Sequence, residues 1–302
     1  MPAPRTPRTL LVIPVSPAVL FLAPTGLPRL LPTAGPSHST TPSAARHTPR
    51  SAAPTGSHSP AAPATSAPRA LRRLLPLLIT RGKAPAAAPL AGDTKGAVPL
   101  TPLQAVRIAL THPPAARGRF AYSNTNHVLL GMVIRQVTGH SYATEAERRI
   151  IKPLRLTGTS FPGARTSLSS PHGRAYSADG TDVTSLDPRV AGAAGEPVTT
   201  LADLNRFYAA LLAGDLLPSR QRHEMLDTRT AQGLYGMGLY PMKLSCGTTV
   251  WGHDGPISGS YVRTAATVDG LRVLTFRVNT DGIEDPDLEP DLLAAEFCPR
   301  TQ

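Results

Sequence analysis

GSYVRTAATVDGLRVLTFRVN, residues 259–279, places two strand-like runs of β-branched and aromatic residues on either side of Asp269-Gly270. An Asp-Gly pair supplies the backbone angles of a tight hairpin turn, so the stretch predicts two antiparallel strands. Upstream, TTVWG (248–252) and LYGMGLY (234–240) alternate well enough to give two more strands of the same sheet. Earlier still the pattern turns helical. From Asn126 to Val137 the chain is apolar on three sides and ends at Gly139, which predicts a buried helix with a glycine C-cap. Thr200, three residues before Asp203, opens a second helix with Leu201, Leu204, Phe207, Tyr208, Leu211 and Leu212 on one face and Gly214 as its stop. The Gly-, Ser- and Pro-rich stretch 157–198 between them reads as irregular. Helices in the middle and antiparallel strands at the end predict an α+β arrangement, the sheet closing against helices.

The first 92 residues have another character. Of the net charge of +11 on 302 residues, they carry ten Lys and Arg and no Asp or Glu, so residues 93–302 are nearly neutral. They also hold 18 of the 33 prolines among runs of Ala, Ser and Thr. Dense proline blocks helix and sheet, and the intervening residues bring too little apolar surface to offset chain entropy, so 1–92 are expected to lack a fixed fold. Neither aromatic interleaving nor a helical basic face accompanies the charge, and no nucleic-acid partner is expected. Arg5 and Arg8 before an apolar run from Leu10 to Leu22 have the order of a signal peptide, although Pro14 and Pro17 interrupt it. That run, and the patch LRRLLPLLI at 71–79, are too short to span a membrane. The expected division is therefore 1–92 as a Pro-, Ala-, Ser- and Arg-rich segment and 93–302 as the folded domain.

Two local patterns carry chemistry. Tyr122-Ser123-Asn124 stands just before the first predicted helix, where a phenol and an amide two residues apart can be aimed into one cleft as proton carrier and hydrogen-bonding group. His253-Asp254-Gly255 follows TTVWG, and a glycine there allows a substrate to approach the backbone edgewise and meet N–H groups arranged as an oxyanion hole. The plainer alternatives are a packed Tyr with Asn as helix cap, and a histidine in a turn.

Taken with their surroundings, FAYSNTNHVLLGMVIRQVTGHSY, IIKPLRLTGTSFPG, TTLADLNRFYAALLAGDLLP, YGMGL, LSCG, WGHDGPISGSY and AEFCP run in the order and spacing of secreted serine D-alanyl-D-alanine carboxypeptidases and class C β-lactamases. The resemblance covers about residues 97–299 and implies a β-lactamase/transpeptidase-like fold, an antiparallel sheet packed with helices plus a helical subdomain. It implies Tyr122 as general acid/base, Asn124 and His253 as its catalytic partners, and Asp254 and Gly255 as substrate-binding positions. It also implies a disulfide between Cys246 of LSCG and Cys298 of AEFCP, and with it a secreted, extracellular or cell-surface protein. Expected ligands are peptidoglycan-type peptides, esters or β-lactams bound by a monomer.

Two departures bear on substrate. Asp254 stands where such proteins often carry a small hydroxyl residue, and Tyr240-Pro241-Met242-Lys243 keeps only Lys243 as a base, so a free peptide carboxylate is disfavoured against an ester, amide or altered peptide. A third bears on catalysis. The serine of these proteins lies in a Ser-x-x-Lys motif, and none of the four lysines, Lys83, Lys95, Lys152 and Lys243, has a serine three residues before it. Only Thr80-Arg81-Gly82-Lys83 approaches the motif. The nucleophile is thus unassigned, and the N-terminal part of the fold that would carry it is expected to be missing. No Gly-x-Ser-x-Gly elbow and no metal-ligand spacing of His occurs, and no metal or cofactor is expected. The sequence therefore implies a hydrolase-family protein, inactive as written, with a non-catalytic cell-wall peptide binder or an esterase using another serine as alternatives.

Overall fold

The hairpin at Asp269-Gly270 forms as the sequence demands. In the computed structural model, which describes residues 11–12, 98–111 and 120–299, strands β5 (Ser260–Ala266) and β6 (Val273–Val278) pair antiparallel across it. Gly270 takes φ +73° at the turn, and Thr267 N–H donates to Arg272 O at 2.9 Å. The expectations for 1–92, namely no fixed fold, the signal-like run and Thr80-x-x-Lys83, lie outside the described residues except Leu11–Val12. That pair, β1 (Leu11–Val12), lies antiparallel to β2 (Val198–Thr199).

The sheet has the order β3-β4-β5-β6, all antiparallel. Two strand assignments change. The first strand, β3, is Tyr240–Lys243 and not 234–240, because Gly238 at φ +84° keeps the preceding residues in turns. The next, β4 (Thr249–Ile257), does not end at Gly252 but runs on through His253-Asp254-Gly255, so these residues are strand and not turn. Gly252 is required by packing, since an added Cβ would meet Thr264 O at 1.9 Å.

Helices cover both faces of the sheet. Helix α4 (Leu201–Ala213), capped by Thr200 Oγ1 accepting from Asp203 N–H and ended by Gly214 at φ +94°, buries Leu204, Phe207, Leu211 and Leu212 with Val262 and Ala266. Helix α6 (Leu288–Phe297) packs Leu288, Leu292, Leu293 and Phe297 on Val250, Ala265, Phe276 and Val278 of the other face. Period-two alternation divides the strands between these layers. Helix α3 (Tyr142–Ala146) precedes α4 in sequence and α5 (Ser219–Met225) follows it, and the stretch 157–198 is irregular apart from two short 3₁₀ turns, two isolated bridges and the start of β2.

Helices α1 (Pro102–Ala109) and α2 (Asn124–Thr138) pack on each other beside the sheet. Gly139 closes α2 in the left-handed conformation, as expected, but the expected burial is not found. Only His127 and Ile134 of α2 are buried, and Leu129, Val133 and Val137 stay exposed. Apolarity on three sides shows that a helix can be surrounded, whereas burial needs a layer against each side.

Cys246 and Cys298 are joined, with Cα atoms 5.8 Å apart, and tie the β3–β4 turn to the end of α6 across 52 residues. Closing a loop of that length stabilises by about 4 kcal/mol on chain-entropy grounds. Reduction is expected to lower the urea midpoint accordingly, and tryptic mass spectra of unreduced protein to contain the linked peptides. Two free thiols in oxidised protein, or an unchanged midpoint, contradict this.

Candidate functional site

Tyr122 and Asn124 are positioned by the start of α2. Ser123, not Asn124, is the cap, its Oγ accepting from Thr125 N–H at 3.3 Å, while Asn124 is the first helical residue and its Oδ1 accepts from the Tyr122 hydroxyl at 3.1 Å. The Tyr122 ring reaches across to β4, with its centroid 5.8 Å from that of His253. Residues about 130 positions apart thus share one cleft. Two further residues belong to it that the sequence reading passed over. Tyr235 gives an edge contact to Tyr122 at 5.8 Å and pairs its hydroxyl with His253 Nε2 at 2.8 Å. His127, one helical turn after Asn124, lies 5.7 Å from the Tyr122 ring. The spacing Asn124-x-x-His127 is visible as one helix face; Tyr235 opens the segment YGMGL, which carries no catalytic pattern of its own.

Both nitrogens of His253 are occupied. Nδ1 contacts the Asp254 carbonyl, which can only accept, so Nδ1 carries the proton and Nε2 accepts from the Tyr235 hydroxyl. Burial pushes the His253 pKa down against the opposing pull of Asp254, which agrees with a neutral ring. The Tyr122 phenol is pushed up to about 12 by the protein packed around it and then by Asp254, although the residue keeps 46% of its surface exposed. At neutral pH it is a hydroxyl that donates, not a phenolate base.

Asp254 faces away from this group. Alternation sends it to the α6 side of the sheet, opposite Arg263 in the ladder, and its Oδ1 accepts from Tyr240 Oη at 2.7 Å. Arg263 is 0% exposed, its Cζ 4.6 Å from the Tyr240 ring centroid and its Nε 3.0 Å from Glu289 Oε1. Glu289 Oε2 accepts from Tyr261 Oη at 2.6 Å. The Asp254 carboxylate thus belongs to a charged layer beneath the strand, and its substrate-binding role is not one that this placement brings to the cleft. Gly255 is buried on the same face as His253, and its backbone groups point to Val262 of β5.

The strand itself supplies the open surface. Leu244 N–H donates to Thr248 O, which continues the β3–β4 register and makes the even-numbered residues of β4 the ones whose backbone groups point to β3. The β5–β6 turn gives the same phase independently, because Thr267 bonds to Arg272 and leaves even residues of β5 to face odd residues of β4. The β3 ladder stops at Tyr240–Gly252. Beyond it, the backbone of Asp254 and Pro256 faces an edge with no strand partner among the described residues.

The sequence model of the family described as Beta-lactamase matches residues 86–282. The chain belongs to the Beta-lactamase family. Among solved structures it is similar to a D-stereospecific amidohydrolase from a Streptomyces species, 37% identical over 76% of this chain and 73% of that one, with a TM-score of 0.63. A D-amino acid amidase from Ochrobactrum anthropi SV3, complexed with L-phenylalanine amide, is 24% identical over 71% and 68%, TM-score 0.58. A penicillin-binding protein from Bacillus halodurans is 19% identical over 72% and 71%, TM-score 0.53. The last two likenesses are of fold, and they agree with the β-lactamase/transpeptidase-like arrangement of sheet and helices in this Beta-lactamase-family chain.

Two measurements check the site. Burial, with the His253 ring adding, lowers the pKa of His127 to about 4, so its stabilising contribution is full above the usual value near 6.5 and is lost as pH falls from there toward 4, a loss of roughly 3 kcal/mol. Its imidazole NMR shifts should stay unprotonated at pH 5; a midpoint near 6.5 contradicts the burial. Arg263→Leu should destabilise by about 3–5 kcal/mol, because Glu289 is left buried without its cation. A denaturation midpoint equal to wild type contradicts this.

Proposed function

We propose that this Beta-lactamase-family chain takes amide-bonded ligands, D-amino-acid amides or short peptides, between Tyr122 and the open edge of β4, and that its 302 residues bind them without turnover. One observation carries the second half: the cleft groups Tyr122, Asn124, Tyr235 and His253, yet the sequence offers no Ser-x-x-Lys to attack a carbonyl. The binding half is supported by the 37% identical D-stereospecific amidohydrolase and by the neutral donors of the cleft. Tyr122 would orient a carbonyl or amide through its hydroxyl, with Asn124 holding that hydroxyl in place. Ser123 is engaged as the cap of α2 and has no base among its bonded neighbours. The Cys246–Cys298 bridge supports an oxidising compartment and hence a secreted or cell-surface protein, as disulfides persist there.

The test is incubation of the full chain with a fluorescent penicillin, a chromogenic ester and D-phenylalanine amide. Reversible binding of the amide, weakened tenfold or more in Tyr122→Phe, with neither covalent label nor product, is the expected result. Covalent label or turnover that survives in the full chain and disappears in Ser123→Ala would instead establish a serine esterase or amidase. Absence of binding to all three probes would end the proposal.

A further inference from the structure

The open edge of β4 is unusual in what it can donate. Asp254 and Pro256 are the two residues beyond Gly252 whose backbone groups point outward, by the phase fixed at both neighbouring hairpins. Proline has no N–H. The Asp254 carbonyl is already in contact with His253 Nδ1. Among the described residues no partner meets the Asp254 N–H or the Pro256 carbonyl, and both residues are only half-buried. The edge is thus reduced to one donor and one acceptor, where an ordinary strand would present two of each over the same length.

We propose that Pro256 is the specificity-determining residue of this edge: it withholds the second donor, so the strand accepts an extended peptide backbone through two bonds only, a ligand carbonyl on Asp254 N–H and a ligand amide N–H on Pro256 O. In antiparallel pairing those two groups belong to ligand residues two apart, so the fitted class is a peptide of about three residues whose N-terminal amide hydrogen is intact. A ligand with an ester or N-methyl group at that position loses the bond to Pro256 O and leaves that carbonyl facing it unpaired. The ligand carbonyl that would meet a donor at position 256 in an ordinary strand finds none. Proline on an exposed edge also prevents two copies from pairing strand to strand, and the same substitution reads out that role. The proposal rests on the cleft being a ligand site, and adds which groups of the ligand are read.

The experiment compares the wild-type chain with Pro256→Ala, using N-acetyl-tri-D-alanine amide and its analogue N-methylated at the first residue as probes. Trp251, the single tryptophan and a neighbour of His253 on β4, supplies a fluorescence signal for affinity, and amide hydrogen exchange reports the edge. Free wild-type protein should exchange Asp254 N–H rapidly and His253 and Gly255 N–H slowly. The parent probe should protect Asp254 N–H, the N-methyl analogue should bind about fivefold more weakly, and Pro256→Ala should bind the parent about fivefold more tightly, as expected for one hydrogen bond each. Slow exchange at Asp254 in free protein, or binding that leaves Asp254 exchange unchanged, overturns the edge proposal while the cleft reading stands. Concentration-dependent dimerisation of Pro256→Ala without a change in probe affinity overturns it in favour of a purely protective proline. Failure of both proteins to bind either probe overturns the cleft reading together with the edge.

Discussion

Strand β4 is held on both sides only as far as Gly252, and the rest of the cleft depends on that unequal pairing. From Thr249 to Gly252 it lies between β3 and β5, where Gly252 fits because any side chain would collide with Thr264. From His253 onward β5 is its one strand partner among the described residues. The change has a local cause: Tyr240 is the first residue of β3, and the glycine turns before it break the ladder. One half of β4 is therefore core, and the other half is a half-buried backbone against which Tyr122, Tyr235 and His253 are arranged.

That half is anchored from beneath. The face toward α6 carries a fully buried guanidinium, Arg263, stacked on Tyr240 and paired with Glu289, and Tyr240 in turn bonds Asp254. Burying such charges costs several kcal/mol per ion before their attraction is counted; Arg263 is offset by the Glu289 carboxylate and the Tyr240 ring, while its guanidinium nitrogens make no hydrogen bond of good geometry among the described residues. This layer binds β3, β4, β5 and α6 into one unit, and the Cys246–Cys298 bridge closes the same two ends covalently. The face toward α4 packs Trp251, Val262, Ala266 and Val273 on that helix, and carries beside them the Thr264–Thr275 and Arg277–Ser260 hydrogen bonds.

Membership of the Beta-lactamase family and the chemistry of this particular chain are separate matters. The family is carried by the sheet, its helices and the order of segments around Tyr122 and His253. The chemistry turns on single residues. A neutral His253 with both nitrogens engaged, a Tyr122 phenol held protonated, and a proline on the open edge together make, among the described residues, a surface of neutral hydrogen-bonding groups.

Much of this was legible in the chain. The Asp269-Gly270 hairpin, the Thr200-capped helix ending at Gly214 and the Gly139 stop are encoded in a few adjacent residues, because turns and caps are decided by local backbone preference. Tyr122, Asn124 and His253 could be singled out as candidates since their motifs are short and local. Three things were not local. The burial of the helix at 124–138 depends on what stands against it, so an apolar sequence was read as a buried helix that the structure leaves half uncovered. Tyr235 lies in the segment YGMGL, but its place beside His253 is decided only by folding. Above all, the sequence names Asp254, Gly255 and Pro256 but not the direction of their backbone groups. That direction is set by the register of β4 against two neighbouring strands, since a shift of one residue would exchange every inward and outward group.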